Sequence, residues 1–214
     1  LLFKDKKFSI ISFFIFYLYP YLFGHAHFNP KDIPFLSFWI INTYFLLKTF
    51  KNFEKERLIN FKTILYFALS TAFLISIRIV GILIFLQYLI FLVVYLESTN
   101  KKLINFIKLY KLNFIYFLIL TIFFIFIMNP IFWHNPLEIL NSLKWMSKYQ
   151  QDICTLTLGD CMKSLNLPSS YYFIWLFFKL PILIIFGLIL FPFIEKKILN
   201  NNINKIFINS LLIT

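Results

Sequence analysis

Glycine and charged residues are both scarce in this sequence. Its 214 residues include 4 glycines, and Asp, Glu, Lys and Arg together make up 14%. With so few glycines the chain has no glycine-rich phosphate loop or dinucleotide fingerprint, which excludes the soluble nucleotide-binding folds. Hydrophobic residues make up 60% and aromatic residues 22%, whereas soluble domains have roughly 45–50% apolar residues. The composition predicts an integral membrane protein of the all-α class, a polytopic bundle of transmembrane helices.

Cysteine is also rare, and the two cysteines, Cys154 and Cys161, lie in the same polar segment. A disulfide between them is permitted on an oxidising face, but their spacing alone leaves open whether it forms. The sequence has no Gly-framed serine or cysteine nucleophile of a membrane protease. It also has no Asn-x-Ser/Thr glycosylation site, which favours a bacterial inner membrane as the location.

Long apolar runs predict the membrane spans, each of which needs about 20 residues. The candidate segments are 8–24, 33–50, 63–97, 112–128 and 171–194. The third is too long for one crossing and carries Arg78, whose insertion at the middle of a span costs roughly 2.5–3.5 kcal/mol. Two helices that turn at Arg78–Gly81 avoid this cost, which gives about six spans. Because the chain opens at Leu1 and stops within an apolar run, residues 1–214 are expected to be one transmembrane domain truncated at both ends.

Lysine and arginine are unevenly distributed if these spans alternate in direction. Fifteen of the 21 then fall on one side: Lys4, Lys6, Lys7, Lys48, Lys51, Lys55, Arg57, Lys62, Lys101, Lys102, Lys108, Lys111, Lys196, Lys197 and Lys205. The positive-inside rule makes this side cytoplasmic, so residues 51–62 and 98–111 should share it. The opposite face holds 24–32, the Arg78 turn and an extracytoplasmic loop at 129–170. The net charge of +12 therefore reflects topology, and no nucleic-acid partner is predicted.

The loop at 129–170 is too polar to cross a bilayer, but its first half has the pattern of an amphipathic helix. Asn135, Pro136 and Glu138 form a helix start, with a capping side chain, a proline and an acid in the first turn. An apolar stripe with a spacing of three follows: Leu137, Leu140, Leu143 and Met146. We expect this helix to lie along the membrane interface.

Charged residues at the outer ends of the predicted spans are the candidate functional residues. Asp32 directly precedes an apolar run, where it either caps the helix or faces a phosphate or an acceptor. Lys31 either supplies a cation for a phosphate or is an ordinary interfacial lysine. Arg78 either has such a function or forms a structural ion pair with Asp32. Lys179, in the last predicted span, either binds substrate or extends its amine toward the interface.

Three histidines are predicted on the same outer face. His25, His27 and His134 could together with Asp32 hold a divalent metal ion, because imidazole and carboxylate suit Zn²⁺ or Mn²⁺. The spacing of these residues is not diagnostic of such a site. The cofactor therefore stays open, with a divalent metal ion as one candidate.

Four stretches, taken in order, carry a family resemblance. They are "FNPKDIPFLSFWIINTYFLLK", "STAFLISIRIVGILI", "NPIFWHNPLEIL" and "LGDCMKSLNLPSSYYFIWLFFKLP". Together they resemble the glycosyltransferase 39 family, the protein mannosyltransferase-like branch of the GT-C membrane glycosyltransferases. The resemblance implies a GT-C-type bundle that transfers a sugar from a polyprenyl-phosphate carrier to a lipid, glycan or protein acceptor on the extracytoplasmic face.

The resemblance also implies where the catalytic groups lie. Such families have one acidic residue in the first outer loop and a second at the start of a later span, and Asp32 matches the second position. The first acid has no counterpart here and is expected upstream of Leu1. Catalysis is thus assigned to Asp32, and substrate binding to Lys31, Arg78, His134 and Lys179. A transporter or flippase, or a non-catalytic subunit of a membrane complex, is the alternative function.

Overall fold

The computed structural model describes residues 6–54, 59–100, 102–148, 154–157, 159–163 and 167–180, together with 185, 186 and 189. The chain divides into two compact units, which are treated separately below. The first unit contains everything described up to Glu138. The second begins at Ile139 and contains most of one helix, a small hairpin and a final helix.

Helices dominate the described residues. They are α1 (Lys6–Tyr17), α2 (Pro20–Phe28), α3 (Asp32–Glu54), α4 (Phe61–Ile77), α5 (Ile84–Thr99), α6 (Leu103–Met128), α7 (Ile131–His134), α8 (Glu138–Lys148) and α9 (Tyr171–Lys179). A 3-10 turn at Ile79–Leu83 joins α4 to α5, and two strands, β1 (Cys154–Thr157) and β2 (Asp160–Lys163), follow α8.

Three described helical segments are long and apolar enough to cross a membrane: Asp32–Phe53, Ile79–Thr99 and Leu103–Met128. A fourth, α4, is equally apolar but has 17 residues, which is the lower limit for a crossing of roughly 17–25 residues. The predicted helical class is confirmed for the described residues, and the lengths of these apolar helices support a membrane protein. Six spans and a GT-C-type arrangement stay predictions.

The predicted span 8–24 is not one helix. It is divided between α1 and α2, which have 12 and 9 residues, so each is shorter than the about 20 residues that a crossing requires. The physical reason is Pro20, which has no N–H and whose ring clashes with a preceding helical turn. Proline is instead favoured at the first position of a helix, and α2 begins at that residue.

The last predicted span, 171–194, is described only in its first part. Helix α9 ends at Lys179, and most of 181–194 lies outside the described residues. The hairpin at β1 and β2 was not predicted. It closes through Gly159, whose φ of +97° is a conformation that glycine adopts without a steric penalty.

Helices α3 and α4 pack side by side in opposite directions. The ring centroids of Phe38 and Phe73 are 4.9 Å apart, and those of Phe45 and Phe67 are 6.2 Å apart. The later residue of α3, Phe45, thus contacts the earlier residue of α4, Phe67, which shows that the two helices are antiparallel. Helix α6 runs in the same direction as α4, because its middle meets Phe67 through Phe117 at 4.7 Å and its last turn meets the last turn of α4.

The ends of α3 and α5 meet the start of α6. The Phe106 ring lies 5.0 Å from Phe53 and 6.0 Å from Tyr95. The last turns of α3 and α5 and the first turns of α4 and α6 therefore lie at the same end of the bundle, which we call the basic end after the lysines near it. The predicted turn at Arg78–Gly81 is confirmed, because α4 and α5 are separate helices joined there, whereas the side of a membrane on which the turn lies stays a prediction.

Candidate functional site

Asp32 is positioned by the start of α3. Its backbone N–H donates to the Asn29 carbonyl at 3.1 Å, and Phe35 N–H donates to the Lys31 carbonyl at 3.1 Å. The carboxylate thus stands in the first helical turn, where the helix dipole favours negative charge. Helix α3 thus begins at Asp32 itself, whereas the capping role considered from the sequence would place Asp32 just before the helix.

Arg78 is positioned by the end of α4. Its backbone is extended, with φ −145° and ψ 129°, and its N–H donates to the Leu74 carbonyl at 3.3 Å. Gly81 N–H then donates to the Arg78 carbonyl at 2.8 Å. A β-carbon at Gly81 would lie 2.7 Å from the Leu74 oxygen, so the tight passage of the chain over the end of α4 requires glycine.

The two side chains form an ion pair across the ends of α3 and α4. Arg78 Nη2 lies 2.5 Å from Asp32 Oδ1, and the side chains are 39% and 31% exposed, respectively. A pair that is this exposed contributes at most about 1 kcal/mol to stability. Both charges are instead open to contact from outside the bundle. The ion pair was one of the two possibilities that the sequence left for Arg78.

The other predicted site residues are Lys31, His134 and Lys179. Lys31 is exposed next to Asp32 in the chain, and His134 is exposed at the end of α7. Lys179 is the last residue of α9, in the second unit. A role for these three residues in substrate binding stays a prediction.

The metal set proposed from the sequence gains no support from the residues that the structure describes. Within the ranges that the structure describes, no group of three or more His, Cys, Asp or Glu residues is placed to hold a metal ion. His27 instead packs edge-on against Phe23 at a centroid distance of 5.2 Å. A metal requirement therefore gains no support from the geometry of the described histidines.

A second hydrogen-bonded contact holds the same end of the bundle together. Asn129, directly after α6, donates through Nδ2 to Ser76 Oγ and to the Ile125 carbonyl, both at 2.8 Å. Trp133 Nε1 donates to the Phe126 carbonyl at 2.7 Å. These bonds fix the end of α6 beside the last turn of α4, where Ser76 lies two residues before Arg78.

The polar network beneath the ion pair was missed by the sequence reasoning. Asn42 is fully buried, and its Oδ1 accepts from Ser70 Oγ at 3.0 Å, Thr71 Oγ1 at 2.7 Å and Tyr88 OH at 3.0 Å. Its Nδ2 donates to the Phe38 carbonyl at 2.8 Å. One amide thereby joins α3, α4 and α5. The available signal was an asparagine inside an apolar run, because such residues face other helices and not lipid.

Asn135 makes the predicted capping contacts, although α8 begins at Glu138 and not at Pro136. Asn135 Oδ1 accepts from Leu137 N–H at 3.2 Å, and Asn135 Nδ2 donates to Glu138 at 3.1 Å.

In the second unit Cys154 and Cys161 are joined by a disulfide across the antiparallel pair β1 and β2, with their Cα atoms 5.5 Å apart. The predicted proximity of the cysteines is confirmed.

The first unit thus belongs to the class of helical bundles with membrane-spanning lengths, with a half-exposed ion pair at one end and a buried polar network below it. The chain matches no protein-family model, no curated protein and no solved structure. The resemblance to the glycosyltransferase 39 family therefore depends on the sequence motifs alone.

Proposed function

We propose that this chain belongs to a membrane glycosyltransferase that moves a sugar from a polyprenyl-phosphate carrier to a lipid, glycan or protein acceptor on the extracytoplasmic face. The observation that carries the proposal is the half-exposed Asp32–Arg78 ion pair. It presents a carboxylate and a guanidinium side by side at the end of the bundle away from the basic end. Inverting sugar transfer requires this combination of groups.

The two charges have separate roles in the proposed reaction. The acceptor hydroxyl attacks the anomeric carbon, its proton passes to the Asp32 carboxylate, and the bond from that carbon to the phosphate oxygen breaks. The polyprenyl phosphate leaves with the bonding electrons, and Arg78 stabilises the added negative charge. Binding of the donor phosphate to Arg78 would also weaken its hold on Asp32 and free the carboxylate to accept the proton.

The location on the extracytoplasmic face has two independent supports. The basic end carries the lysine-rich connections, which the positive-inside rule assigns to the cytoplasm, and the ion pair is at the opposite end of the same bundle. The Cys154–Cys161 disulfide follows α6 in the chain, and such bonds persist in oxidising compartments. Both observations favour the same orientation.

The competing interpretation is that the pair only fixes the ends of α3 and α4. An assay of sugar transfer separates the catalytic from the purely structural role of the pair. Transfer from a polyprenyl-phosphate donor is measured in membranes that contain the full-length protein at matched levels. If Asp32 acts in transfer, Asp32→Asn keeps the shape of the side chain but should lower activity by about 10²-fold or more. Asp160→Asn, which changes an exposed carboxylate in the hairpin, is the matched control and should retain full activity.

A charge-swapped double variant makes the test sharper. Asp32→Arg with Arg78→Asp restores an ion pair of opposite polarity, so a purely structural role predicts recovery of stability and activity together. The proposed chemistry predicts that activity stays lost even where stability recovers, because the carboxylate and the guanidinium have exchanged positions. Wild-type activity in Asp32→Asn, or rescue by the swap, would reject the assignment of the site.

A further inference from the structure

An apolar groove opens in the side of the first unit, away from the ion pair. Its volume is about 310 Å³, at the lower end of the roughly 300–1,000 Å³ of small-molecule sites. Aromatic and aliphatic side chains of α3, α4, α5 and α6 line it, among them Phe50, Phe67, Leu89, Phe114 and Leu118. The groove lies between helices of membrane-spanning length, so its mouth faces the hydrocarbon region of a bilayer.

The groove extends toward the basic end of the bundle. Phe53, near the end of α3, and Ile59, just before α4, form part of its lining, and so does the polar residue Asn113. An acyl chain that enters the groove would therefore have its polar end near the end of α3 and the start of α4. The groove is suited to a molecule with one apolar chain and a head group at the membrane surface.

The sequence on either side of that end of the groove is rich in basic residues. Segments 51–62 and 97–111 together contain eight basic and three acidic residues. Lys62 lies between the lining residues Ile59 and Ile64, and Lys111 is two residues before Asn113; both lysines are exposed. Basic pockets between membrane helices on the cytoplasmic side bind anionic lipid head groups, and each nearby lysine contributes about 1 kcal/mol.

We infer that the groove binds one acyl chain of an anionic phospholipid, with the phosphate held by Lys62 and Lys111. The apolar lining selects the hydrocarbon chain, and the lysines select the negative head group. This inference does not depend on sugar transfer, because the groove and the ion pair are at opposite ends of the bundle.

Photocrosslinking tests the inference directly. The purified full-length protein is reconstituted in phosphatidylcholine vesicles with a minor fraction of a probe lipid that carries a diazirine near the end of one acyl chain. The probe is either phosphatidylglycerol or phosphatidylcholine with identical chains, and mass spectrometry locates the labelled residues. We expect labelling of Leu89, Phe114 and Leu118, and about fivefold or more labelling by the phosphatidylglycerol probe relative to phosphatidylcholine.

Two variants, each with a matched control, test the binding of the acyl chain and the binding of the head group separately. Leu118→Trp narrows the mouth and should abolish groove labelling, whereas Ile119→Trp changes an equally exposed neighbour outside the lining and should not. Lys111→Gln should lower labelling by the phosphatidylglycerol probe about fivefold, whereas Lys31→Gln, away from the basic end, should leave it unchanged.

Three outcomes would overturn the inference. One is equal labelling by both probes, and another is labelling that Leu118→Trp does not change. The third is displacement of the phosphatidylglycerol probe by a smaller amount of polyprenyl phosphate, which would make the groove a site for the sugar carrier and not for a phospholipid.

Discussion

Replacing Asn42 by leucine should weaken the packing of α3 against α4 and α5. The substitution keeps a similar side-chain volume but removes the oxygen that accepts from Ser70, Thr71 and Tyr88. Interhelical hydrogen bonds within membranes contribute on average ~0.6 kcal/mol each, which gives an upper sum of about 2 kcal/mol for three.

The expected loss is smaller than that sum because two of the hydroxyls have a second acceptor. Ser70 Oγ and Thr71 Oγ1 both lie 2.9 Å from the Phe67 carbonyl in their own helix. Tyr88 OH retains Thr71 Oγ1 at 3.1 Å. The hydroxyls are therefore not left without partners, and we expect the free energy of unfolding to fall by about 1 kcal/mol.

Equilibrium unfolding in mixed micelles of a mild detergent and dodecyl sulfate, followed by far-ultraviolet circular dichroism, measures this loss. Thr121→Val is the matched control, because Thr121 is buried and its hydroxyl donates to the Phe117 carbonyl within its own helix. A double-mutant cycle with Tyr88→Phe should give a coupling energy of ~0.6 kcal/mol with Asn42. A stability of Asn42→Leu equal to that of the wild type or of Thr121→Val would refute the reasoning.

Two further predictions concern the turn and the hairpin. Gly81→Ala should lower the free energy of unfolding by about 1–3 kcal/mol in the same assay, because its β-carbon would lie 2.7 Å from a backbone oxygen; Gly24→Ala, with nothing within 4 Å of the new carbon, is the control, and equal effects would contradict the geometry. Cys154 and Cys161 should react with iodoacetamide only after reduction of protein isolated from native membranes. An equal mass shift with and without reductant would show that both thiols are free.

The composition and the pattern of charges were sufficient to predict the class of protein and one topological detail. Long apolar runs require a lipid surrounding, and an arginine in the middle of a single span is costly enough to indicate a turn there. Both arguments use local sequence alone, so both could be made without knowing which helices are neighbours. The structure confirms the turn at Arg78–Gly81 that was predicted in this way.

The tertiary structure decided which distant residues meet. The sequence left Arg78 with two possible roles, and the ion pair with Asp32 exists because α3 and α4 pack antiparallel and bring residues 46 positions apart to one end. The same packing places Asn42 opposite Ser70 and Thr71. Hydrophobic periodicity predicts that a helix has a buried face but does not specify its partner, since the register depends on side-chain packing across the whole interface. The division of 8–24 at Pro20 was, by contrast, decided by the sequence. Proline restricts the local backbone, and the apolar pattern that predicted one span does not take this restriction into account.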